Sequence, residues 1–296
     1  MPNPFAKLHP PPVGMAIAAM GSIQLGSAVA KSLFESVSPL EVTLMRVGFS
    51  ALALHLIWRP QYRQYSRRQY STALLFGLSI AGTNFFFYQA ISRIPLGIAV
   101  TLEFIGPLGV AIAHSRRSID VAWVVLAAVG IALLAPVGGF QLDLVGMGLA
   151  FLAGGCWAGY VLCASKAGKI LPPGEGVTLA LVFATLALVL PGTMLAVARF
   201  PFELRAEPRT LGLGLAVAML SSGIPLVLEV AALKRLPVRV FGVLLSLEPA
   251  IAAAVGAIFL DEPLTVRVLL AIAMVVLATA GASSFRPDLE TQSTEI

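Results

Sequence analysis

The chain is 296 residues long, and 58% of these residues are hydrophobic while only 12% are charged. Its mean hydropathy of +0.89 excludes an ordinary soluble globular domain and is typical of proteins that reside in a lipid bilayer. The net charge of +5 is small, and basic loops at a membrane surface account for it without any nucleic-acid partner. We therefore expect an all-α integral membrane protein.

Ten segments are apolar enough to cross a membrane, given that a span needs about 20 mostly apolar residues for a hydrocarbon core of about 30 Å. Seven of them carry no charge, and the other three enclose Arg46, Glu103 or Glu248, with Arg239 at the edge of the last. In chain order the predicted helices cover residues 8–30, 40–58, 69–92, 94–115, 121–142, 144–165, 176–198, 210–228, 236–260 and 268–285.

The distribution of basic residues predicts the orientation of these helices. With the N-terminus in the cytoplasm, thirteen of the twenty Lys and Arg residues fall in cytoplasmic segments, six fall outside and Arg46 lies within a span. Short cytoplasmic loops of membrane proteins are enriched in Lys and Arg. Both termini of this multi-pass chain are therefore predicted to be cytoplasmic.

The two halves of the chain resemble each other. A shift of 142 residues superimposes Arg93-Ile94-Pro95 on Arg235-Leu236-Pro237 and Pro107 on Pro249. We interpret residues 13–135 and 144–285 as two five-helix repeats. Because five is an odd number, the second repeat enters the membrane from the opposite face. Inverted repeats of this kind are typical of alternating-access transporters, which bind substrate near the midplane.

Two acids occupy corresponding apolar segments, TLEFIGPL with Glu103 and LSLEPAIA with Glu248. Counted from Pro95 and Pro237, they lie about 12 Å and about 16 Å deep from opposite faces, which is nearly the same level. A carboxylate at such depth costs roughly 2.5–3.5 kcal/mol, so it should be protonated, paired or in contact with water. We assign proton coupling to both acids. The alternative is that each acid only bonds a neighbouring helix.

Glu103 has a second expected role, since Pro107 has no N–H with which to bond its carbonyl. Side chain and backbone therefore both offer oxygens to a substrate ammonium. Arg46 is the natural partner for the substrate carboxylate, because a guanidinium binds carboxylates in a bidentate manner. Alternatively, Arg46 extends to the outer interface or forms a fixed ion pair with Glu103.

Several further polar and aromatic side chains are candidates for contact with the substrate. Asn84 and Tyr88 are four residues apart and so share one face of a helix. The other candidates are Lys31, Gln24, Trp157 and Tyr160. For Lys31 a role as an interface anchor is the stronger interpretation, and for Glu229 we expect a surface ion pair near the cytoplasmic end of its helix.

An enzyme is not expected, since the chain lacks a His-Glu-x-x-His motif, a Gly-x-Ser-x-Gly motif and a phosphate-binding loop. Its three histidines are scattered and make no metal set, and no cofactor is expected. Cys156 and Cys163 lie on one predicted helix, too far apart for a disulfide. A channel remains a competing interpretation, although isolated acids within inverted repeats fit alternating access better.

Several strings resemble a known family: SIQLGSAVAKSLF, PLGIAVTLEFIGPL, GGCWAGYVL and LLSLEPAIAA followed by FLDEPLT. They look like the EamA branch of the drug/metabolite transporter superfamily and are most similar to inner-membrane threonine/homoserine exporters. The resemblance implies a bacterial inner-membrane protein that exports small neutral amino acids in exchange for protons. A broader drug or metabolite exporter of the same fold is the alternative, and the oligomeric state is left open.

Overall fold

The computed structural model describes residues 11–113, 119–134, 143–172, 174–197, 207–233, 235–236 and 238–284. Within these ranges the regular elements are all helical. The α-helices are α1 Pro12–Ser32, α2 Pro39–Trp58, α3 Arg67–Ile91, α4 Leu96–Glu103, α5 Ile105–Ala113, α6 Ile119–Leu133, α7 Leu144–Ile170, α8 Glu175–Val197, α9 Pro208–Ala218, α10 Ile224–Leu233, α11 Val238–Leu245, α12 Glu248–Phe259 and α13 Val266–Ser284. A 3₁₀ turn covers Tyr62–Gln64, and a π-helical turn, Met219–Gly223, joins α9 to α10.

Six helical stretches of the described residues are long and apolar enough to cross a membrane, judged by length and composition alone. They are Pro12–Ser32, Pro39–Trp58, Arg67–Ile91, Leu144–Ile170, Val240–Phe259 and Val266–Ser283. Leu96–Val110, Val121–Leu133 and Glu175–Val189 are shorter apolar helices. The prediction of an all-helical membrane protein is confirmed at this level. Each of the ten predicted segments overlaps a helical stretch, but their arrangement as inverted repeats stays a prediction.

Local sequence explains where several helices begin. Ser38 and Glu41 form a capping box at the start of α2, in which the Ser38 side chain accepts from the Glu41 N–H and Glu41 accepts from the Ser38 N–H. Asp143 caps α7 by accepting from the N–H groups of the next turn. Arg93 also donates to Asp143 at 2.9 Å, and this hydrogen bond holds the pKa of Asp143 below its usual value.

Two helices are broken at corresponding positions. The chain departs from the helix at Phe104, between α4 and α5, and again at Ser246 and Leu247, between α11 and α12. The 142-residue shift that aligns the two halves places Phe104 on Ser246. A proline follows each break within three residues, and its missing N–H removes a hydrogen bond of the helix interior.

Packing between the halves follows the same correspondence. Helix α3 packs on α7 and α8, while α9 and α10 pack on α1 and α2. Two further contacts pair counterparts directly, α2 with α8 and α6 with α13, and a third joins the two broken helices through α4 and α12. The α4–α12 contact is close, because a Cβ added at Gly97 would lie 2.6 Å from the Cα of Ala253. The two broken helices therefore cross at the centre of the molecule.

The loops gather at two ends of the helix bundle. At the first end, Lys31 binds Glu262 at 2.6 Å, and Glu262 in turn accepts from the N–H of Leu96 at 2.8 Å. At the second end, Gln69 donates to the carbonyl of Ile170 at 2.7 Å. The first end collects segments predicted to lie outside, and the second end collects segments predicted to be cytoplasmic.

Candidate substrate site

A cavity of about 510 Å³ opens beside the two helix breaks. Its wall is built by α1, α2, α3, α7, α8, the α4–α5 and α11–α12 segments and the π-helical turn with α10. This volume falls in the range of small-molecule sites. From the breaks, the cavity extends toward the second end, where Leu54 and Val177 line it.

The cavity brings together seven of the nine predicted site residues: Gln24, Arg46, Asn84, Glu103, Trp157, Tyr160 and Glu248. Tyr88 is fully buried behind Arg46 and does not line the wall. Lys31 lies at the first end, where it binds Glu262 and donates to the carbonyl of Ile94 at 2.9 Å. The assignment of each residue to substrate or proton stays a prediction.

Both helix breaks place an acid on the cavity wall. Glu103 is the last residue of α4, Glu248 is the first residue of α12, and each is only 8% exposed. When ionised, the two carboxylates would repel each other, and the Arg46 guanidinium would attract both. Gln24 donates from Nε2 to Glu248 Oε1 at 3.0 Å. The broken helices therefore hold two largely buried acids on the wall of one cavity.

Arg46 is held by neutral groups. Its Nη1 donates to the Tyr88 hydroxyl at 3.2 Å, its guanidinium lies 5.4 Å from the Tyr88 ring centre, and its Nη2 donates to the Ser221 carbonyl at 3.4 Å. Pro225, four residues after Ser221, has no N–H to offer that carbonyl. Among the described residues no carboxylate oxygen lies within 4.0 Å of the guanidinium. The Arg46–Glu103 ion pair is thus not formed at contact distance.

Glycines let α7 approach the first break. A Cβ added at Gly154 would lie 2.6 Å from the carbonyl oxygen of Glu103, and a Cβ added at Gly106 would fall on the carbonyl of Gly154. Just beyond, the rings of Phe104 and Trp157 meet edge to face with centres 4.9 Å apart. The string GGCWAGYVL therefore supplies both the close approach and part of the cavity wall.

The remaining predicted residues complete the polar and aromatic wall. Asn84 donates from Nδ2 to the carbonyl of Ile80 at 2.8 Å, which leaves its Oδ1 available to the cavity. The Tyr160 ring packs on Phe76 with centres 5.1 Å apart. No group of three His, Cys, Asp or Glu side chains in the described part of the chain is arranged to hold a metal ion.

Sequence reasoning misplaced Glu229. We expected it in a surface pair because it follows the end of the predicted helix and lies near Lys234 and Arg235 in the sequence. Helix α10 in fact continues to Leu233, and Glu229 lines the cavity, where it acts electrostatically on Glu248 and Tyr160. The spacing of four from Pro225 was the available signal, because it puts Glu229 one turn beyond the Ser221 carbonyl on the same face.

Three buried polar atoms on the cavity wall have no hydrogen-bond partner: Gln24 Oε1, Thr83 Oγ1 and Ser221 Oγ. The sequence analysis included Gln24 but neither hydroxyl. Buried polar groups are usually satisfied, so three residues of one cavity wall with unpartnered polar atoms are candidates for contact with a ligand or water.

Comparison with known proteins identifies the relatives of this chain. The EamA-like transporter family matches residues 144–284. The threonine/homoserine exporter RhtA of Escherichia coli (strain K12) is 42% identical over 274 residues, which is 92% of this chain and 91% of that protein. The exporter of the same name from Salmonella typhimurium (strain SL1344) is 41% identical with the same coverage. A crystal structure with 20% identity aligns with a TM-score of 0.58, covering 91% of this chain and 96% of that one, and supports the fold alone.

Proposed function

The chain belongs to the EamA-like transporter family, and its relatives are threonine/homoserine exporters. From this premise we propose that it exports small neutral amino acids of the threonine/homoserine type by proton antiport. The observation that carries the proposal is the separation of charge in the cavity. Arg46 and the acids Glu103 and Glu248 line one compartment, and no carboxylate of the described residues is in contact with the arginine. A zwitterionic amino acid could bind Arg46 through its carboxylate and the acids through its ammonium group.

The proposed architecture is ten spans in two inverted repeats, residues 13–135 and 144–285. Its support is the correspondence of the helix breaks at Phe104 and Ser246 under a single shift, together with the matching contacts between the halves. In such transporters the substrate binds between the repeats, at broken helices. Two broken helices crossing beside the cavity fit that arrangement.

In the bound state, Arg46 takes the substrate carboxylate and Glu103 takes the ammonium. Tyr88 and the Ser221 carbonyl hold the guanidinium from one side, which leaves its remaining N–H groups for a carboxylate. We assign the proton chiefly to Glu248, because its partner Gln24 can form a hydrogen bond with either the charged or the protonated acid. An amide donates to a carboxylate through its NH₂ and accepts from a carboxylic acid through its oxygen.

Alternating access also needs a closed end, and we assign that role to the Lys31–Glu262 pair. The pair joins α1 to the loop between α12 and α13, and Glu262 also binds the N-terminus of α4. The cavity instead extends toward the second end. With both termini cytoplasmic, this conformation faces the cytoplasm and is ready to receive substrate.

The decisive test uses Glu248→Gln, which keeps size and hydrogen bonding but cannot titrate. Vesicles with the variant should still exchange labelled for unlabelled threonine, because exchange moves no net proton. They should no longer concentrate threonine against its gradient when protons flow the other way. For one proton exchanged per substrate, a potential of roughly 150 mV supplies about 3.5 kcal/mol, enough for a gradient of a few hundred-fold in the wild type.

Two comparisons sharpen this test. Glu103→Gln should lose affinity and exchange together, because it chiefly receives the ammonium, whereas Glu35→Gln alters an exposed acid and should behave as the wild type. Full proton-driven accumulation by Glu248→Gln would remove Glu248 from coupling. Transport of cationic dyes but not of threonine by the wild type would favour a broader exporter of the same fold.

A further inference from the structure

Ser221 is one of two helical residues in the described part of the chain, with Thr83, whose buried hydroxyl has no hydrogen-bond partner. Serine and threonine side chains within helices commonly bond the carbonyl four residues earlier, as Ser27, Ser50 and Thr101 do here at 3.1, 2.7 and 2.6 Å. Ser221 lies in the π-helical turn, and its Oγ is buried without any partner. The residue itself is 6% exposed and lines the cavity.

The hydroxyl of Ser221 lies against helix α1 in this structure. Ser22 of α1 donates to the carbonyl of Leu220 at 2.7 Å and so fixes α1 against the π-helical turn. On the same side of α1, Gly26 leaves a gap that Ser221 Oγ occupies, since a Cβ added at Gly26 would fall on that oxygen. A π-helical turn inside an α-helix frequently marks a functional position.

The hydroxyl lies next to the group assigned to the substrate carboxylate. The carbonyl of Ser221 itself accepts from Arg46 Nη2 at 3.4 Å. In a β- or γ-hydroxy amino acid, the side-chain hydroxyl is only a few bonds from the carboxylate. A substrate anchored on Arg46 would therefore bring its own hydroxyl within reach of Ser221.

On this basis we propose that Ser221 is a specificity-determining residue that recognises the side-chain hydroxyl of the substrate; the inference rests on the proposed export of small amino acids. The proposal requires that Oγ leave the gap at Gly26 by a change of staggered χ1 rotamer when the substrate binds. It can then both donate to and accept from a substrate hydroxyl. A substrate with a methyl group in place of the hydroxyl would leave the buried Ser221 hydroxyl without a partner. The cost of that unpaired group lowers the affinity for the methyl analogue.

The test compares amino acids of equal shape in proteoliposomes that hold the full chain. Counterflow of labelled threonine is measured against unlabelled threonine and against valine, which replaces the hydroxyl by a methyl group. The wild type should prefer threonine by at least about tenfold, and Ser221→Ala should reduce that preference about tenfold while leaving competition by valine unchanged. Ser79→Ala is the control, because the Ser79 hydroxyl bonds the Leu75 carbonyl of its own helix at 3.0 Å and Ser79 does not line the cavity.

A second measurement separates recognition from folding. Removing an unpaired hydroxyl should leave the thermal midpoint of Ser221→Ala at or above that of the wild type. Ser221→Cys, with a weaker donor of similar shape, should show an intermediate preference. An unchanged threonine-to-valine ratio in both Ser221 variants would overturn this inference alone. Absence of threonine counterflow by the wild type would overturn the proposed function and this inference with it.

Discussion

Replacing Gly154 by alanine tests how the cavity holds its first acid. The added Cβ would lie 2.6 Å from the Glu103 carbonyl oxygen and 3.2 Å from the Glu103 Cα. Ordinary contacts begin at 3.4 Å, so α7 and the α4–α5 break must separate by about 0.8 Å at this point. The atoms in contact belong to the Glu103 backbone, which cannot move aside by a rotamer change as a side chain can. Overpacking of this kind costs about 1–3 kcal/mol.

The functional consequence follows from the same displacement. Misplacing a site group by about 1 Å costs up to about 100-fold where geometry is strict, so we expect the initial rate of threonine efflux to fall at least about tenfold in Gly154→Ala. The thermal midpoint in detergent should fall as well. Gly155→Ala is the control, since nothing lies within 4 Å of its added Cβ, and it should match the wild type. Wild-type efflux and stability in Gly154→Ala would refute the idea that this contact positions Glu103.

Three further predictions address the clamp, the closed end and the orientation. Arg46→Lys keeps the charge but loses the bidentate fork, so the apparent KM for threonine in vesicle transport should rise about tenfold at normal expression; unchanged kinetics would make Arg46 structural. Lys31→Glu and Glu262→Lys should each slow threonine exchange, and the double exchange should recover part of the rate; equal loss in all three variants would exclude a pair that acts as a latch. An impermeant thiol reagent applied to intact cells should label Asp143→Cys above the native background and spare Arg63→Cys, and the reverse pattern would invert the topology.

Much of the fold could be predicted because its causes are local. Long apolar runs become helices wherever the surrounding lipid cannot satisfy the backbone, and the predicted segments overlap the described helices. Glu103 and Glu248 could be placed on the cavity because each is an acid in an apolar run next to a proline. Arg46 followed from the same logic of an isolated charge at depth.

The sequence could not show which polar atoms already have partners. Tyr88 and Lys31 are as polar in sequence as the residues that line the cavity, yet Tyr88 supports Arg46 and Lys31 binds Glu262. Ser221 carried no signal of its own, because a hydroxyl in a helix usually bonds its own backbone, whereas the hydroxyl of Ser221 lies unbonded against Gly26. These outcomes depend on contacts between distant segments, which periodicity and spacing do not encode.

The break in each half also explains why the two acids are not equivalent, although a repeat related them. Glu103 lies before the break in its helix and Glu248 lies after it, so one acid ends a helix while the other begins one. Gly154 presses on the backbone at Glu103, whereas Glu248 receives a side-chain hydrogen bond from Gln24. The Gln24 amide can bond Glu248 in both protonation states, which suits a carboxylate that binds and releases a proton during transport. Glu103 lies beside its own carbonyl, which lacks a helical N–H donor because residue 107 is proline. Carboxylate and carbonyl can together accept the several hydrogen bonds that a substrate ammonium donates. The proposed division of roles, with the proton on Glu248 and the substrate ammonium on Glu103, would therefore follow from a displacement of a single helical turn between the halves.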